Sequence, residues 1–309
     1  MAKAADIGAR KAGLTPNVRG ALWMLGSALA FVIMTTLVKY LGNDYSASLQ
    51  TFYRQLAGVI ILLPVIIRRR GAAFATTKPL ILCLRSAVGV LGLTLSFYAF
   101  QKMPLADASA LSFTRSLFLV PLVAFVVREP VGPLRIGAAL VGFVGVLIMV
   151  RPGAGGHFAI GMPGLAMLLS SFLVAFTIAG MKVLTRTHTP TALLVWAAVW
   201  GVLFSIPGAL LSWHWPDLKD LALLSAMGIF ALINQACYIK GLQIGDAGAM
   251  APIDYTRLVF ATAAGFFLFH DVPSVWTITG AAVVVGSTLF ITWREHVAAV
   301  RGAADAVAG

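Results

Sequence analysis

Runs of about twenty apolar residues recur along the chain, each closed by a charge, a proline or glycine, or a short polar turn. Their spacing predicts ten helices near 19–41, 47–67, 80–101, 105–127, 132–150, 161–182, 190–211, 218–240, 247–269 and 275–293. A hydrocarbon core about 30 Å thick takes about 20 apolar residues in a helix. Each run is too long for a membrane strand, and the alternating polarity of one is absent. The expected fold class is an all-α membrane protein with ten transmembrane helices, joined by connections too short to hold a soluble domain.

The pattern is written twice. Residues 20–150, moved forward by 142 to 144 positions, fall on residues 163–293 with matching chemistry. Leu-Ser-Phe-Thr-Arg at 111–115 lands on Ile-Asp-Tyr-Thr-Arg at 253–257, Gln101 on Gln243, Gly58 and Pro64 on Gly201 and Pro207, and Ala138 and Gly142 on Ala282 and Gly286. Five helices per copy is an odd number, so the second copy is expected to enter the membrane upside down, giving two inverted five-helix repeats. The expected segments are an N-terminal tail at 1–18, repeat 1 at 19–150, a linker at 151–160 containing Pro152, Gly153, Gly155 and Gly156, repeat 2 at 161–293, and a C-terminal tail at 294–309. Pro64, Pro121, Pro207 and Pro252 are expected to kink their helices. The Ala138/Gly142 and Ala282/Gly286 steps are expected to serve close helix packing.

Composition agrees with burial in lipid: charged residues make up 11% of the chain, and the mean hydropathy is +0.92. A net charge of +12 raises nucleic acid as a partner, but the distribution argues for the bilayer instead. With the N-terminus inside, 15 of the 23 lysines and arginines fall in inner segments and 4 in outer ones, the bias that orients membrane proteins. Both termini are therefore expected in the cytoplasm. The first 18 residues are polar and basic, lack the apolar stretch of a cleavable signal, and read as a cytosolic tail.

Charges inside the apolar runs carry the chemistry. Each costs roughly 2.5–3.5 kcal/mol at a helix centre on insertion scales, so each should face protein or water. Arg115 and Arg257 are repeat mates about ten residues into their helices, near mid-bilayer. As mates lining one pathway, they are expected to lose function equally on charge removal. Arg54 and Arg85 lie nearer helix ends, where a long side chain can reach the headgroups. Asp254, three residues before Arg257 on one helix face, reads as the sole intramembrane carboxylate.

Two readings of this group stand side by side. One is a buried ion pair that neutralises itself and fixes packing. The other is the wall of a central cavity carrying a charge of +1 and meeting an anionic group of a substrate, with Asp254 as the proton-coupling candidate. Tyr255, Tyr98, Asn234 and Tyr238 are candidate substrate-binding residues, with Tyr53, Gln55 and Gln235 nearby in the pattern. Each alone reads equally as an interhelical hydrogen bond. Cys83 and Cys237 lie in separate apolar runs, and the five histidines lack ligand spacing, so no metal or other cofactor is expected. Without a nucleotide-hydrolysis motif, transport would run on gradients.

The two-copy layout, the Leu-Ser-Phe-Thr-Arg stretch leading to Arg128-Glu129-Pro130, and its echo from Ala251-Pro252 through Asp254-Tyr255-Thr256-Arg257 to Asp271-Val272-Pro273 resemble the EamA branch of the drug/metabolite transporter superfamily. The second half is most similar to S-adenosylmethionine-type carriers, although those have a basic residue where this chain has Asp254. The resemblance implies a ten-helix carrier of the bacterial inner membrane, working by alternating access around a central cavity. The expected function is secondary active transport of a small polar metabolite that is amino-acid-like, nucleoside-like or vitamin-like. The alternatives are a channel or a membrane-embedded enzyme. For an enzyme, a single carboxylate without a histidine leaves few groups for acid–base work.

Overall fold

The computed structural model describes residues 16–69, 76, 78–127, 133–150, 161–184, 188, 190–245, 250 and 253–308. The first fifteen residues, the 151–160 linker, the Arg128-Glu129-Pro130 turn and Pro252 lie outside the described residues. Among the described residues the chain forms eleven α-helices and no strand. They are α1 (Pro16–Tyr40), α2 (Ala47–Arg69), α3 (Pro79–Lys102), α4 (Leu105–Ser112), α5 (Thr114–Leu122), α6 (Pro133–Val150), α7 (Gly161–Leu184), α8 (Pro190–Leu210), α9 (Leu218–Ile244), α10 (Thr256–Phe269) and α11 (Val275–Ala308).

Local chemistry sets the ends. Prolines open α1, α3, α6 and α8, a position where the missing N–H costs no helical bond. Asp217 caps α9 by accepting from the Asp220 N–H at 2.7 Å. His270 ends α10 in the left-handed conformation (φ 56°). There the His270 N–H reaches the Phe266 carbonyl, the bond of an αL ending, and the Asp271 N–H reaches back to the Gly265 carbonyl. Among the described residues, six helices are long and apolar enough to cross a membrane: Pro16–Asn43, Pro79–Lys102, Leu105–Phe125, Gly161–Met181, Ala192–Leu210 and Leu218–Ile244. Shorter apolar helices cover Ile136–Val150, Thr256–Phe269 and Val275–Phe290, while α2 breaks its apolar run with Gln50, Arg54 and Gln55.

Helix contacts exchange between the two copies. The extensive packing of α1 on α9 is matched by that of α3 on α7, while α2 pairs with its own mate α8 and α6 with its mate α11. Single bonds repeat the rule: Ser27 donates to the Asn234 carbonyl at 3.1 Å across α1 and α9, and Ser170 donates to the Gly92 carbonyl at 2.6 Å across α7 and α3. Ser27 and Ser170 are repeat mates, as are Gly92 and Asn234.

Two ends of the bundle can be told apart. At one, Lys39, Tyr45, Met103, Leu105, Gly208, Asp220 and Asp271 meet. At the other, Thr76 bonds His188 at 2.8 Å, and Leu82, Leu184 and Leu193 cluster. Following these contacts, α1 runs toward the Lys39 end and its mate α7 runs away from it.

Three differences from the sequence pattern follow from packing and propensity. The stretch expected as a C-terminal tail continues α11 to Ala308, in keeping with its alanine-rich sequence. Pro121 is followed by a wide π-type turn at Val123–Val127 that the apolar run does not show, while α2 and α8 stay helical through Pro64 and Pro207. The close α6–α11 crossing is at Gly145 and Gly280, where an added Cβ on either glycine would meet the other's carbonyl oxygen within 2.8 Å. Gly142 does pack on Leu117 and Ser287, but Gly286 faces open space. With Pro133, Gly137, Ala138, Val141, Ser287 and Phe290 it borders an apolar groove of about 400 Å³.

Candidate functional site

The two matched stretches, 111–115 and 253–257, break their helices at the same place. Phe113 (φ −68°, ψ −18°) separates α4 from α5, and its mate Tyr255 (φ −73°, ψ −13°) precedes α10. Each break is a tight turn: the Ser116 N–H bonds the Phe113 carbonyl at 3.0 Å, and the Leu258 N–H bonds the Tyr255 carbonyl at 2.9 Å. The following threonine turns its hydroxyl back in both copies, Thr114 to the Leu111 carbonyl and Thr256 to the Ile253 carbonyl, each at 2.7 Å. Arg115 and Arg257 each emerge one residue past that threonine.

Residues related by a twofold can touch only at the axis, and here they do. The rings of Phe113 and Tyr255 pack with centroids 4.6 Å apart. Beside them, one oxygen of Asp254 lies 3.5 Å from an Arg257 nitrogen and 3.9 Å from an Arg115 nitrogen. These are ion-pair separations, longer than a tight hydrogen bond. One carboxylate thus sits between two guanidinium groups, and the formal charge of the trio is +1.

The mates differ in exposure. Arg257 has a side chain only 4% exposed, with its guanidinium 4.2 Å from the centroid of Phe113 and 5.1 Å from that of Phe31. Its Nε and one Nη are buried without a hydrogen bond. Arg115 is 30% exposed. The two stacked rings explain how Arg257 tolerates its place, since aromatic faces attract a desolvated cation.

The other sequence-predicted residues are arranged less tightly. Tyr255 hydrogen-bonds Thr288 of α11 and lies, with Tyr238, within electrostatic reach of Arg257. Tyr98 is half-buried on α3 against the main apolar core. The amide nitrogen of Asn234 donates to the backbone oxygen and hydroxyl of Ser27, both at 2.9 Å, so the structure ties it to the α1–α9 contact. Tyr53 stacks on Trp213. Gln55 accepts from Arg54 at 2.9 Å, and Arg54 Nε is buried without a partner, so this arginine does not reach toward headgroups. The Nε of Arg85 donates to the Thr177 carbonyl at 3.4 Å.

Asp254 is not the sole carboxylate inside a helix. Asp107 lies in the first turn of α4, with one oxygen buried and unbonded, close to Thr277, Asp271 and Lys39. Its place just past Pro104, at the start of the predicted 105–127 run, makes it look like an end-of-helix charge in the sequence. Burial there comes from the turn after α10, which a local pattern cannot show.

The model of the EamA-like transporter family matches residues 18–151 and again 162–293. The chain is 28% identical over 286 residues to an S-adenosylmethionine uptake transporter of Rickettsia prowazekii (strain Madrid E), covering 91% of this chain and 95% of that one. It is 28% identical over 291 residues to a riboflavin transporter of Vibrio cholerae, covering 90% and 94%, and 26% identical over 270 residues to a pseudopaline exporter of Pseudomonas aeruginosa (strain PAO1), covering 86% and 93%. A crystal structure at 20% identity has the same fold, with a TM-score of 0.55 over 88% of this chain and 93% of that one.

Proposed function

Since the chain belongs to the EamA-like transporter family, we propose that this membrane transporter of small molecules is a gradient-driven carrier whose substrate meets Arg115 and Asp254 at the twofold axis. The observation that carries the reading is the Asp254 carboxylate held between repeat-mate arginines, of which one is buried and the other open. Ten spans form two inverted units, 19–150 and 161–293, joined by 151–160. Residues 1–18 and the 294–309 end of the chain face the cytoplasm of a bacterial cell whose inner membrane holds the bundle. Alternating access then follows from exchange of the two copies' conformations about the axis where the charges sit.

The chemistry suits a small polar metabolite with an anionic group. Arg115 offers a fork of donors to a carboxylate or phosphate, and Asp254 can accept an ammonium group. Phe113 and Tyr255 give a flat apolar face for a ring, while Tyr98 and Tyr238 border the chamber and Asn234 fixes α9 behind it. S-adenosylmethionine, named for one relative, combines an amino-acid head with a nucleoside and satisfies all three features. Protonation of Asp254 would raise the local charge from +1 to +2 and strengthen anion binding, so loading from the more acidic side couples the substrate to a proton.

The test is flux into proteoliposomes with S-adenosylmethionine, riboflavin and single amino acids as probes, preceded by a thermal-shift screen with the same compounds. A carrier gives saturable uptake and counterflow with at least one stabilising compound. Conductance that rises without saturation indicates a channel, and chemical conversion of the probe in detergent indicates an enzyme. Either result overturns the reading.

A further inference from the structure

At the Lys39 end, one ion pair joins the two copies. The Lys39 ammonium, from the last turn of α1, donates to the Asp271 carboxylate just after α10 and to the Met103 carbonyl at 3.2 Å. The same Asp271 oxygen accepts from the Leu105 N–H, at 3.4 Å, where α4 begins. Lys39 also lies 4.9 Å from the Phe269 ring centroid. The lysine and aspartate side chains are 14% and 17% exposed, so the pair is largely withdrawn from solvent. The left-handed turn at His270 is what swings Asp271 back over the end of α10.

The helices tied by this pair are those that build the site. Phe31 and Lys39 lie on α1 eight residues apart, about 12 Å along the helix. Arg115 follows α4, whose first residue holds Asp271, and Arg257 lies on α10, which Asp271 terminates. The pair ties α1, the start of α4 and the end of α10 to one another at this end, so a water-filled opening between these three elements requires the pair to part. The sequence carries the same charges at the repeat-related positions, with Lys39 falling on Lys182 and Glu129 on Asp271. Two like-charged matches at the repeat interval mark the pair as a feature of the duplicated unit.

We propose that the Lys39–Asp271 pair is the closing contact of this end of the pathway, broken on each cycle when the carrier opens there. The proposal rests on the alternating-access reading above, but the first arm of its test needs no substrate. Thr35 is fully buried on the α1 face between Phe31 and Lys39, and its hydroxyl donates within its own helix, to the Phe31 and Val32 carbonyls. Thr35→Cys is nearly isosteric and reports on the passage, in a background of Cys83→Ser and Cys237→Ser.

In oriented vesicles, a membrane-impermeant thiol reagent added from the Lys39 side should label Thr35→Cys slowly. Adding Asp271→Asn should raise the rate at least tenfold, and the exchanged pair Lys39→Asp with Asp271→Lys should return it toward the slow value. Equal rates in all three overturn the closing role, whether or not any cargo has been found. Because Asp271→Asn alone can weaken folding, a second arm links Lys39→Cys to Asp271→Cys with a short reducible bifunctional reagent. Flux of a probe already shown to be carried should fall more than tenfold and recover on reduction. Undiminished flux in the linked protein overturns the closing role while leaving the carrier reading intact.

Discussion

The two broken helices, 111–115 with α5 and 253–257 with α10, carry the same turn, the same threonine bond and the same arginine, yet they place that arginine in opposite surroundings. Arg257 is enclosed between Phe31 and Phe113, whereas Arg115 is partly open. The difference begins in two substitutions between the copies. Asp254 stands where the first copy has Ser112, and Phe31 stands where the second copy has the aliphatic residues 173–175. A duplicated motif has thus been divided into an anchor and a contact. The expectation that both arginines would matter equally is replaced by one in which their losses differ in kind.

That division can be broken hardest at the shared carboxylate. Asp254→Ala leaves two guanidinium groups facing each other without an anion. Removing one member of a buried pair typically costs about 3–5 kcal/mol, so the unfolding midpoint of the detergent-solubilised protein should fall sharply. Asp254→Asn should retain more stability and flatten the rise of anion uptake with falling pH. An unchanged pH profile would remove the coupling role.

Substitution of the arginines separates contact from anchor. Arg115→Gln should leave thermal stability nearly unchanged and raise KM roughly 10-fold to 100-fold, because a hydrogen bond to a charged group is worth about 1.5–3 kcal/mol. Arg257→Gln should instead lower the melting temperature. Matched effects of the two substitutions in both assays would mean that the observed burial difference has no functional counterpart.

A smaller effect is expected at the ring that encloses the anchor. Phe31→Leu removes one aromatic face from Arg257, a loss of about 0.5–2 kcal/mol, seen as reduced stability without a change in KM. Smallest is the pair of interhelical serines. Ser27→Ala and Ser170→Ala each delete one bond worth about 0.5–1.5 kcal/mol, and Ser27→Ala should be the larger because it also strips the Asn234 amide of a partner.

Much of this arrangement is legible in the chain. The repeat interval alone brings Phe113 and Tyr255, and Arg115 and Arg257, into register as mates, and the apolar runs give the helices. The unequal burial is not legible, because Phe31 comes from a helix far from either arginine in sequence. Asn234 reads as a pocket residue until Ser27, 207 positions away, is seen to hold it. Lys39 and Asp271 read as unrelated charges because each lies at the edge of an apolar run. Their partnership spans 232 positions and depends on the turn at His270. Local pattern reports what a helix contains, while the meeting of distant helix ends depends on how the two copies pack.

The central claim is that the trio faces water at the axis and that Arg115 is its open member. The most direct measurement is the reaction of Arg115→Cys with a water-soluble thiol reagent in membranes, in a background of Cys83→Ser and Cys237→Ser. The account predicts rapid modification that slows when a transported compound is present. No modification from either side of the membrane would place this position against acyl chains and contradict the account.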